Sequence, residues 1–343
     1  MAVVKANAYG HGLVQVARTA LAAGATWLGV ALPEEGIALR QAGINAPILV
    51  LGPTSPEQAP LVSTNGLSQT VFSRSSLDTF SREGKAGGHP VPVQVKVDTG
   101  MGRLGVQPDQ ALHFLHQVSE TAGVHLEGVF THLARADDPD PDPTFKQLAI
   151  FGQVREAAVA AGLDIPLWHA ANSAAAWRFP ESHLDMVRAG IAIYGLAPFP
   201  GFSAGLHPAL TWKTRIAFLK EVAAGTPLSY GSFYTTTGRA RIATLPVGYA
   251  DGYSRSLSNT GLVLVGGRRV PVVGRVCMDQ LLVDVTGVPA CQEGDEAVLL
   301  GVQGEERITV DEMADWLETI NYEVICRISH RVPRIYPCKA AWP

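Results

Sequence analysis

The first two hundred residues alternate short runs rich in β-branched residues with longer helical patterns, and this alternation constrains the fold more than any other feature. Eight candidate strands are predicted, at residues 2–5, 27–32, 47–52, 68–72, 92–97, 126–131, 167–169 and 184–188. Helical patterns lie between them, at residues 12–23, 33–42, 108–122 and 144–161. Such alternation predicts parallel β-α-β units, and eight of them predict a closed (β/α)8 barrel of the TIM type. An open doubly wound sheet is the alternative, but no G-x-G-x-x-G motif follows an early strand.

Near residue 204 the alternation of strand and helix patterns ends. Val/Ile/Thr runs then recur between Gly and Pro residues, at 215–220, 240–246, 262–265, 270–276, 281–285 and 297–300, which predicts a mainly β second domain. A single helix is predicted at residues 310–319. We therefore expect a barrel domain at residues 1–205 and a mainly β domain at residues 206–343. The acidic, proline-rich segment at 136–143 is predicted to be a solvated loop.

Composition excludes several classes of protein. The 343 residues include 27 basic and 31 acidic side chains, a net charge of −4, which gives no basic surface for nucleic acid. No stretch approaches the roughly 18 consecutive apolar residues of a membrane span, and the N-terminus has no signal-peptide pattern. The four cysteines (Cys277, Cys291, Cys326 and Cys338) form no C-x-x-C pair, so neither a disulfide framework nor a zinc site is expected. We expect a cytoplasmic protein without a metal or a nucleic-acid or membrane partner.

Polar side chains recur where the predicted barrel strands end. Lys5, Lys96, His132, His169 and Arg188 all fall at or just after the carboxyl end of a strand. Catalytic groups of such barrels project from this end. Taken singly, each residue has a structural explanation, such as a surface lysine or an ion-paired arginine. Their recurrence at five strands favours an active site.

The loops after strands seven and eight predict a phosphate site. Asn172 and Ser173 precede a helical stretch there, and Gly190 and Ile191 follow Arg188. Hydroxyl and backbone N–H groups at a helix start suit a phosphate. A lysine amine whose pKa is lowered by burial can form a Schiff base with an aldehyde. A lysine, a phosphate loop and an arginine in one barrel mouth together indicate pyridoxal 5′-phosphate.

Short motifs spread over the whole chain resemble the alanine racemase family, pyridoxal-phosphate enzymes of fold type III. In chain order they are AVVKANAYGHG (2–12), KVDTGMGRLG (96–105), HAANS (169–173), RAGIAIYG (188–195), SYG (229–231), GYADG (248–252), CMDQ (277–280) and INYE (320–323). Their shared order makes the resemblance far more specific than any one motif. The family's architecture, a barrel followed by a β domain, agrees with the prediction above.

The resemblance implies catalytic roles. Lys5 would hold the cofactor and act as the base on one face of the substrate α-carbon, and Tyr230 of the partner subunit would act on the opposite face. His132 matches the histidine beside that tyrosine, and a hydrogen-bonded chain from His132 to Arg188 would tune it. Arg188 would also meet the pyridine nitrogen, which stays unprotonated because a guanidinium does not give up its proton. The implied activity is a two-base interconversion of L-alanine and D-alanine.

The resemblance also implies contacts to cofactor and substrate. The residues expected at the cofactor are Lys5, Tyr9, Arg103, Asn172, Ser173, Arg188, Gly190, Ile191 and Tyr322. Arg103 would also touch the substrate carboxylate, together with Met278 of the partner subunit. Lys96 matches a lysine that is carbamylated in many family members, and the resulting anion would fix Arg103 in place.

The implied substrate entrance is narrow and favours alanine by steric exclusion. Its four matching residues are Tyr249, Arg255, Asp279 and Ile320. Because Tyr230, Met278 and Asp279 lie in the β domain and would act across a subunit boundary, the resemblance implies a head-to-tail homodimer. The implied product is D-alanine for peptidoglycan.

Three other readings of the motifs remain open. A racemase of broader range would need a wider entrance than Tyr249 and Tyr322 suggest. Decarboxylases of this fold normally meet the pyridine nitrogen with a carboxylate, where this chain has Arg188. Non-catalytic cofactor-binding relatives lack the β domain that carries Tyr230.

The chain departs from the family pattern at its start. Family members carry a few tens of residues ahead of the lysine motif, whereas this chain begins four residues before Lys5. We expect either a start codon assigned too late or a truncated and inactive chain. The first is favoured because the other motifs are intact.

Overall fold

The computed structural model describes residues 1–202 and 205–337. Cys338 and residue 204, where the sequence changes character, lie outside this part of the chain. The described residues form two compact units. The first comprises residues 1–8 and the described part of 12–206, and the second comprises residues 9–11 and 207–337.

The first unit is built on a curled parallel sheet. In the described residues it has seven strands whose spatial order is their chain order: β1 (Ala2–Val3), β2 (Leu28–Val30), β3 (Ile48–Val50), β4 (Ser68–Val71), β5 (Val91–Lys96), β6 (Val124–Phe130) and β7 (Leu167–His169). All neighbouring pairs are parallel. Because parallel pairing places every carboxyl end on one side, side chains that follow these strands gather at one mouth of the barrel.

The barrel closes through an irregular segment, residues 185–189, rather than through an eighth strand. Asp185 N donates to Trp168 O at 3.0 Å on the β7 side. On the β1 side Ala189 forms a parallel bridge with Ala2, and Val3 N donates to Ala189 O at 2.9 Å. The barrel prediction is confirmed, but the predicted strand at 184–188 was wrong. Leu184 adopts a left-handed conformation with φ of 47°, which breaks the extended chain.

Right-handed helices cover the outside of the sheet. Their bounds are α2 (Leu13–Ala22), α3 (Pro33–Gln41), α4 (Ala59–Thr64), α5 (Arg74–Gly87), α6 (Pro108–Glu120), α7 (Asp142–Ala160) and α8 (Ser173–Arg178). Helices α4 and α5 were not among those predicted. The segment predicted as a solvated loop at 136–143 is a loop up to residue 141, but α7 starts at Asp142 and Ala136 is buried. Arg178 donates to Ala136 O at 3.0 Å and holds this segment.

The segment α1 (Lys5–Tyr9), which follows β1, is left-handed. Ala6, Asn7 and Ala8 have φ of 53°, 53° and 52°. Each such residue costs roughly 1–2 kcal/mol relative to the right-handed form, asparagine less than alanine. Local hydrogen bonds offset part of this cost: Ala8 N donates to Val4 O at 2.8 Å, and Leu13 N donates to the Asn7 side chain at 2.9 Å. The chain therefore turns sharply just after Lys5.

The second unit is mainly antiparallel β structure. Its strands are β8 (Trp212–Arg215), β9 (Phe218–Val222), β10 (Pro227–Leu228), β11 (Tyr234–Thr235), β12 (Ala240–Leu245), β13 (Leu262–Val265), β14 (Arg268–Pro271), β15 (Leu281–Asp284), β16 (Glu296–Gln303) and β17 (Glu306–Ile308). One sheet has the order β15-β12-β9, a second has β14-β13-β16-β17 with β8 also on β16, and β10 pairs with β11.

One strand prediction for this unit was wrong, and the predicted helix is present but shorter than expected and not the single one. The predicted strand at 215–220 is divided between β8 and β9, which pair with β16 and β12 respectively. The single helix predicted at 310–319 is α9 (Val310–Trp316), and a second helix, α10 (Asn321–Cys326), follows it. Thr309 caps α9 by accepting a hydrogen bond from Glu312 N at 3.0 Å. No helix in the described ranges is both long and apolar enough to cross a membrane.

Candidate active site

The polar residues that follow the barrel strands gather at its carboxyl mouth, within the first unit. Lys5 follows β1, Lys96 ends β5, His132 follows β6 and His169 ends β7. Arg188 lies in the closing segment at 185–189. The structure brings five of the sequence-predicted positions to one end of the barrel.

Arg188 lies at the centre of this mouth, with only 4% of its surface exposed. Its guanidinium donates to Nδ1 of His169 at 2.8 Å and to Nδ1 of His132 at 3.2 Å. It also donates to the backbone oxygens of Thr131 at 2.7 Å and Ala170 at 2.9 Å. No carboxylate of the described residues pairs with it. Burial lowers the pKa of Arg188 to about 9, so the side chain stays charged at neutral pH.

The pKa of His132 reflects its burial and the positive charges around it. Burial lowers the pKa of His132 well below its ordinary value, and the positive charges of Arg188, Arg103, Lys96 and Lys5 lower it further, in that order. His132 is therefore neutral at physiological pH. Because Nδ1 accepts from Arg188, its proton lies on Nε2.

Lys96 is a buried amine, with 3% of its surface exposed. Nζ donates to Leu104 O at 2.6 Å and lies 6.0 Å from the ring centroid of Phe130. Burial lowers the pKa of Lys96 to about 8; Asp98 opposes that shift, whereas Arg103 and Arg188 reinforce it. A substantial part of the Lys96 amine is neutral, and hence nucleophilic, at mildly alkaline pH.

The loop after β5 presents Arg103. Asp98 Oδ1 accepts from the backbone N–H groups of Gly100 at 3.1 Å and Gly102 at 3.0 Å. These bonds outweigh the effect of burial and hold the pKa of Asp98 below its ordinary value. Gly105 allows the loop to return, because a Cβ there would lie 2.5 Å from Asp98 N. Arg103 is exposed on this constrained loop.

Hydroxyl and backbone N–H groups cluster in the loops after β7 and after the closing segment. Ser173 Oγ accepts from Gly190 N at 2.8 Å and lies 3.4 Å from Ala192 N. Asn172 caps α8 by accepting from Ala175 N at 3.0 Å. The buried residue Ile191 opens the 3-10 turn Ile191–Tyr194. Hydroxyl and N–H groups of this kind suit a phosphate, and they lie in the two loops where the sequence predicts a phosphate site.

Two predicted cofactor-binding tyrosines meet in the second unit. The rings of Tyr9 and Tyr322 have centroids 6.0 Å apart. Burial, and to a lesser degree Tyr322 and Cys326, raise the pKa of Tyr9. Tyr9 is therefore a protonated hydroxyl that can donate a hydrogen bond.

The residues predicted to act across a subunit boundary are exposed in the second unit. The exposed fractions are 74% for Tyr230 and 53% for Met278. Their loops adjoin, since Ser229 Oγ donates to Arg275 O at 2.7 Å and Tyr249 N donates to Cys277 O at 3.0 Å. The three motifs SYG, GYADG and CMDQ thus come together.

The predicted entrance residues are also on the surface of the second unit. Tyr249 lies in the turn Tyr249–Asp251, Arg255 opens the turn Arg255–Leu257, and Ile320 precedes α10. Asp279 accepts from Arg331 at 2.8 Å. The structure records no contact that joins all four of them.

Two residues of these networks were not predicted from the sequence. Gln94, fully buried on β5, accepts from His169 at 2.8 Å. The available signal is the pair Gln94 and Lys96, polar residues two positions apart in a strand that is otherwise valine and proline. Arg331, which pairs with Asp279, carries no motif that marks it. No cluster of three His, Cys, Asp or Glu side chains that could hold a metal ion occurs within 1–202 and 205–337.

Comparison with known proteins identifies the family. The profile "Alanine racemase, N-terminal domain" matches residues 1–198, and "Alanine racemase, C-terminal domain" matches residues 209–336. The chain is 52% identical to the alanine racemase of Symbiobacterium thermophilum over 98% of its own length and 90% of the relative's. It is 48% identical to that of Halothermothrix orenii, over 99% of this chain and 90% of the relative.

Solved structures of alanine racemases have the same fold as this chain. The crystal structure of alanine racemase from Bacillus anthracis with bound L-Ala-P superposes with a TM-score of 0.93 at 41% identity, covering 99% of this chain and 88% of that one. The alanine racemase of Clostridium difficile 630 gives 0.92 at 40% identity, covering 96% and 87%.

The barrel, its cationic mouth and these matches define an amino-acid racemase, which is an isomerase. The chain belongs to the alanine racemase family, and the predicted activity, interconversion of L-alanine and D-alanine, is confirmed. The family uses pyridoxal phosphate.

Proposed function

We propose that this chain binds pyridoxal 5′-phosphate and racemises alanine with two bases, Lys5 on one face of the α-carbon and Tyr230 of the partner subunit on the other. The observation that carries the proposal is the buried Arg188, which donates to Nδ1 of His132 and of His169 at the barrel mouth where Lys5 and Lys96 also lie. Such a mouth favours an anionic cofactor and a substrate with a carboxylate.

The residues fit the cofactor chemically. Ser173 would offer its hydroxyl and Ile191 its backbone N–H to a phosphate, and the Gly190 N–H holds Ser173 Oγ in place at 2.8 Å. Tyr9 and Tyr322 would add hydroxyl groups. Asn172 holds the phosphate loop by capping α8. Arg188 can only donate to a ring nitrogen, and it has no carboxylate partner in the part of the chain described. When bound, pyridoxal phosphate withdraws electrons and so acidifies the α-proton of the amino acid joined to it.

Proton transfer is assigned to Lys5 and Tyr230. Inversion requires that one group remove the α-proton and that another deliver a proton to the opposite face. A free tyrosine is a weak base at neutral pH because its ordinary pKa is near 10. Nε2–H of His132 would donate to the phenolate oxygen and stabilise it, since Nδ1 is occupied by Arg188.

Arg103 binds the substrate carboxylate in this proposal, together with Met278 of the partner subunit. Lys96 is buried behind the Arg103 loop with a lowered pKa. Reaction of its neutral amine with carbon dioxide forms an N–C bond and releases a proton, leaving a carbamate anion. That anion would pair with Arg103 and hold it.

The assembly we propose is a head-to-tail homodimer with barrel domains at 1–205 and β domains at 206–343. The support is the exposure of Tyr230 and Met278 on adjoining loops. Tyr249, Arg255, Asp279 and Ile320 would line the entrance. The enzyme would act in the cytoplasm and supply D-alanine for peptidoglycan.

Exchange of the α-proton in D2O tests the two-base assignment. We expect Tyr230→Phe to slow exchange from one alanine enantiomer at least about tenfold more than from the other, because only one face loses its base. Tyr234→Phe, a tyrosine of the same unit without an assigned role, should match the wild type. Equal slowing from both enantiomers would refute the assignment. Lys5→Ala should abolish both exchange and the absorbance of covalently held cofactor.

A further inference from the structure

A chain of hydrogen bonds leads from Arg188 through the barrel interior. Arg188 donates to Nδ1 of His169 at 2.8 Å, and Nε2 of His169 lies 2.8 Å from Oε1 of Gln94. Nε2 of Gln94 donates to Oε2 of Glu127 at 2.9 Å. His169 and Gln94 are fully buried, whereas Glu127 on β6 is half-buried. All four residues belong to the first unit.

Both ends of the chain impose the same direction of donation. A guanidinium only donates and a carboxylate only accepts. Nδ1 of His169 must therefore accept, so its proton lies on Nε2 and donates to the Gln94 oxygen. The Gln94 nitrogen then faces Glu127. If the tautomer of His169 or the amide of Gln94 were reversed, two donors or two acceptors would face each other along the chain of hydrogen bonds.

His169 is thereby held neutral and in one orientation. A second proton would sit on Nδ1, directly opposite the Arg188 donor. Burial, and then the charge of Arg188, lower the pKa of His169 well below its ordinary value, in agreement with this geometry. Phe130 stacks on His169 at a centroid distance of 4.9 Å and an angle of 10°, and its centroid lies 5.3 Å from Cζ of Arg188. The ring face and the imidazole acceptor together set the plane of the guanidinium.

We propose that Gln94 and Glu127 are positioning residues for Arg188. They hold His169 as the Nε2-protonated acceptor, and His169 orients the guanidinium at the active-site mouth. The consequence for turnover rests on the role proposed above for Arg188, whereas the hydrogen-bond chain itself does not. Neither Gln94 nor Glu127 touches the groups that react.

Long-range 1H–15N correlation spectra of the imidazoles test the state of His169. In wild-type protein we expect one set of signals, with Nε2 protonated and Nδ1 unprotonated, unchanged between about pH 5.5 and 8.5. The signals are assigned by their loss in His169→Gln. A charged or Nδ1-protonated His169 would overturn the proposal. The spectra need neither cofactor nor turnover, so they remain informative if the role of Arg188 toward the cofactor is wrong.

Gln94→Leu removes the acceptor of Nε2–H. We expect the Nε2–H proton signal to move upfield, because its hydrogen bond is lost while Arg188 still holds Nδ1 as an acceptor, and kcat to fall about tenfold with the KM for alanine nearly unchanged. The matched control is Gln69→Leu, an equally buried glutamine on the neighbouring strand β4. It should cost similar stability but leave both readouts as in the wild type. Identical behaviour of the two variants would overturn the proposal.

Variants of Glu127 keep the test decisive if Gln94→Leu does not fold. Glu127→Gln retains an acceptor oxygen and should keep the wild-type Nε2–H signal of His169. Glu127→Leu removes the acceptor, lets the Gln94 amide turn, and should move the signals in the same direction as Gln94→Leu by a smaller amount. Wild-type signals in Glu127→Leu would contradict the inference.

Discussion

At the scale of single residues, burial decides the charge of each group at the barrel mouth. Arg188 remains a cation, because a pKa near 9 is still well above neutral pH. His132 is neutral at physiological pH. Lys96, with a pKa of about 8, is charged in part of the molecules and neutral in the rest near that pH. Sequence analysis located all three from strand ends and motifs. The family resemblance also implied the contact between His132 and Arg188. Nothing in the sequence indicated the contact between Gln94 and His169, which are 75 residues apart.

Carbamylation of Lys96 is directly observable. After equilibration with 13C-bicarbonate we expect a protein-bound carbamate carbon signal that grows as pH rises through about 8, because only the neutral amine reacts. Lys96→Met should remove the signal. Lys146→Met, at an exposed lysine on α7, should keep it. Absence of the signal in wild-type protein would refute the carbamate.

The same lowered pKa makes stability depend on pH. The folded-state pKa of Lys96 lies below the unfolded value of about 10.4, so between about pH 8 and 10.4 the unfolded chain binds more protons. Stability of the wild type relative to Lys96→Met should therefore rise across this window and level off above it. Urea unfolding midpoints at pH 7, 8, 9 and 10 in buffer free of carbon dioxide measure the difference. A constant difference would contradict a buried lysine amine.

At the scale of elements, the hydrophobic pattern predicted which segments are strands better than it predicted where they end or pair. The strand at 167–169 has the expected bounds, whereas 215–220 is divided because its two halves join different sheets. The segment at 185–189 closes the barrel as the eighth strand would, but Leu184 precedes it in a left-handed conformation. The hydrophobic periodicity of a segment indicates which of its sides is buried, but it does not predict the φ angle of a single residue such as Leu184.

The left-handed segment α1 gives an unusual prediction for a glycine substitution. Ala6→Gly should raise the free energy of unfolding by about 0.5–1 kcal/mol, because removing Cβ relieves left-handed strain and the greater freedom of unfolded glycine cancels only part of the gain. Ala6 is exposed, so no packing is lost. Chemical denaturation measures the change.

The control for this variant lies in a right-handed helix. Ala149→Gly, at an exposed position inside α7, should lower stability by about 1 kcal/mol. The same alanine-to-glycine change is thus expected to raise the free energy of unfolding at Ala6 and to lower it at Ala149. A loss of stability in both would contradict the left-handed geometry of α1.

At the scale of the whole molecule, the proposed site is shared between two chains. Tyr230 and Met278 are among the most exposed large side chains of the second unit, which suits residues that act on a partner. The proposed dimer was predicted only from the family resemblance, because no pattern within one chain shows which surface contacts a second copy.

Subunit mixing tests a shared site. Lys5→Ala and Tyr230→Phe should each be nearly inactive alone. After exchange of subunits, about half of the dimers are mixed, and each mixed dimer has one of its two sites intact, so activity should recover to about a quarter of the wild type. No recovery despite demonstrated mixing would place Lys5 and Tyr230 of one site in the same chain.

Chiral chromatography of L-alanine incubated with the purified chain and pyridoxal phosphate tests directly whether the chain is a racemase. We predict that D-alanine appears until the two enantiomers are equal, because they have the same free energy in water. Lys5→Ala should leave L-alanine unchanged, and Lys146→Ala should behave as the wild type. Bound cofactor with no D-alanine formed would contradict the central claim that these residues make a working racemase.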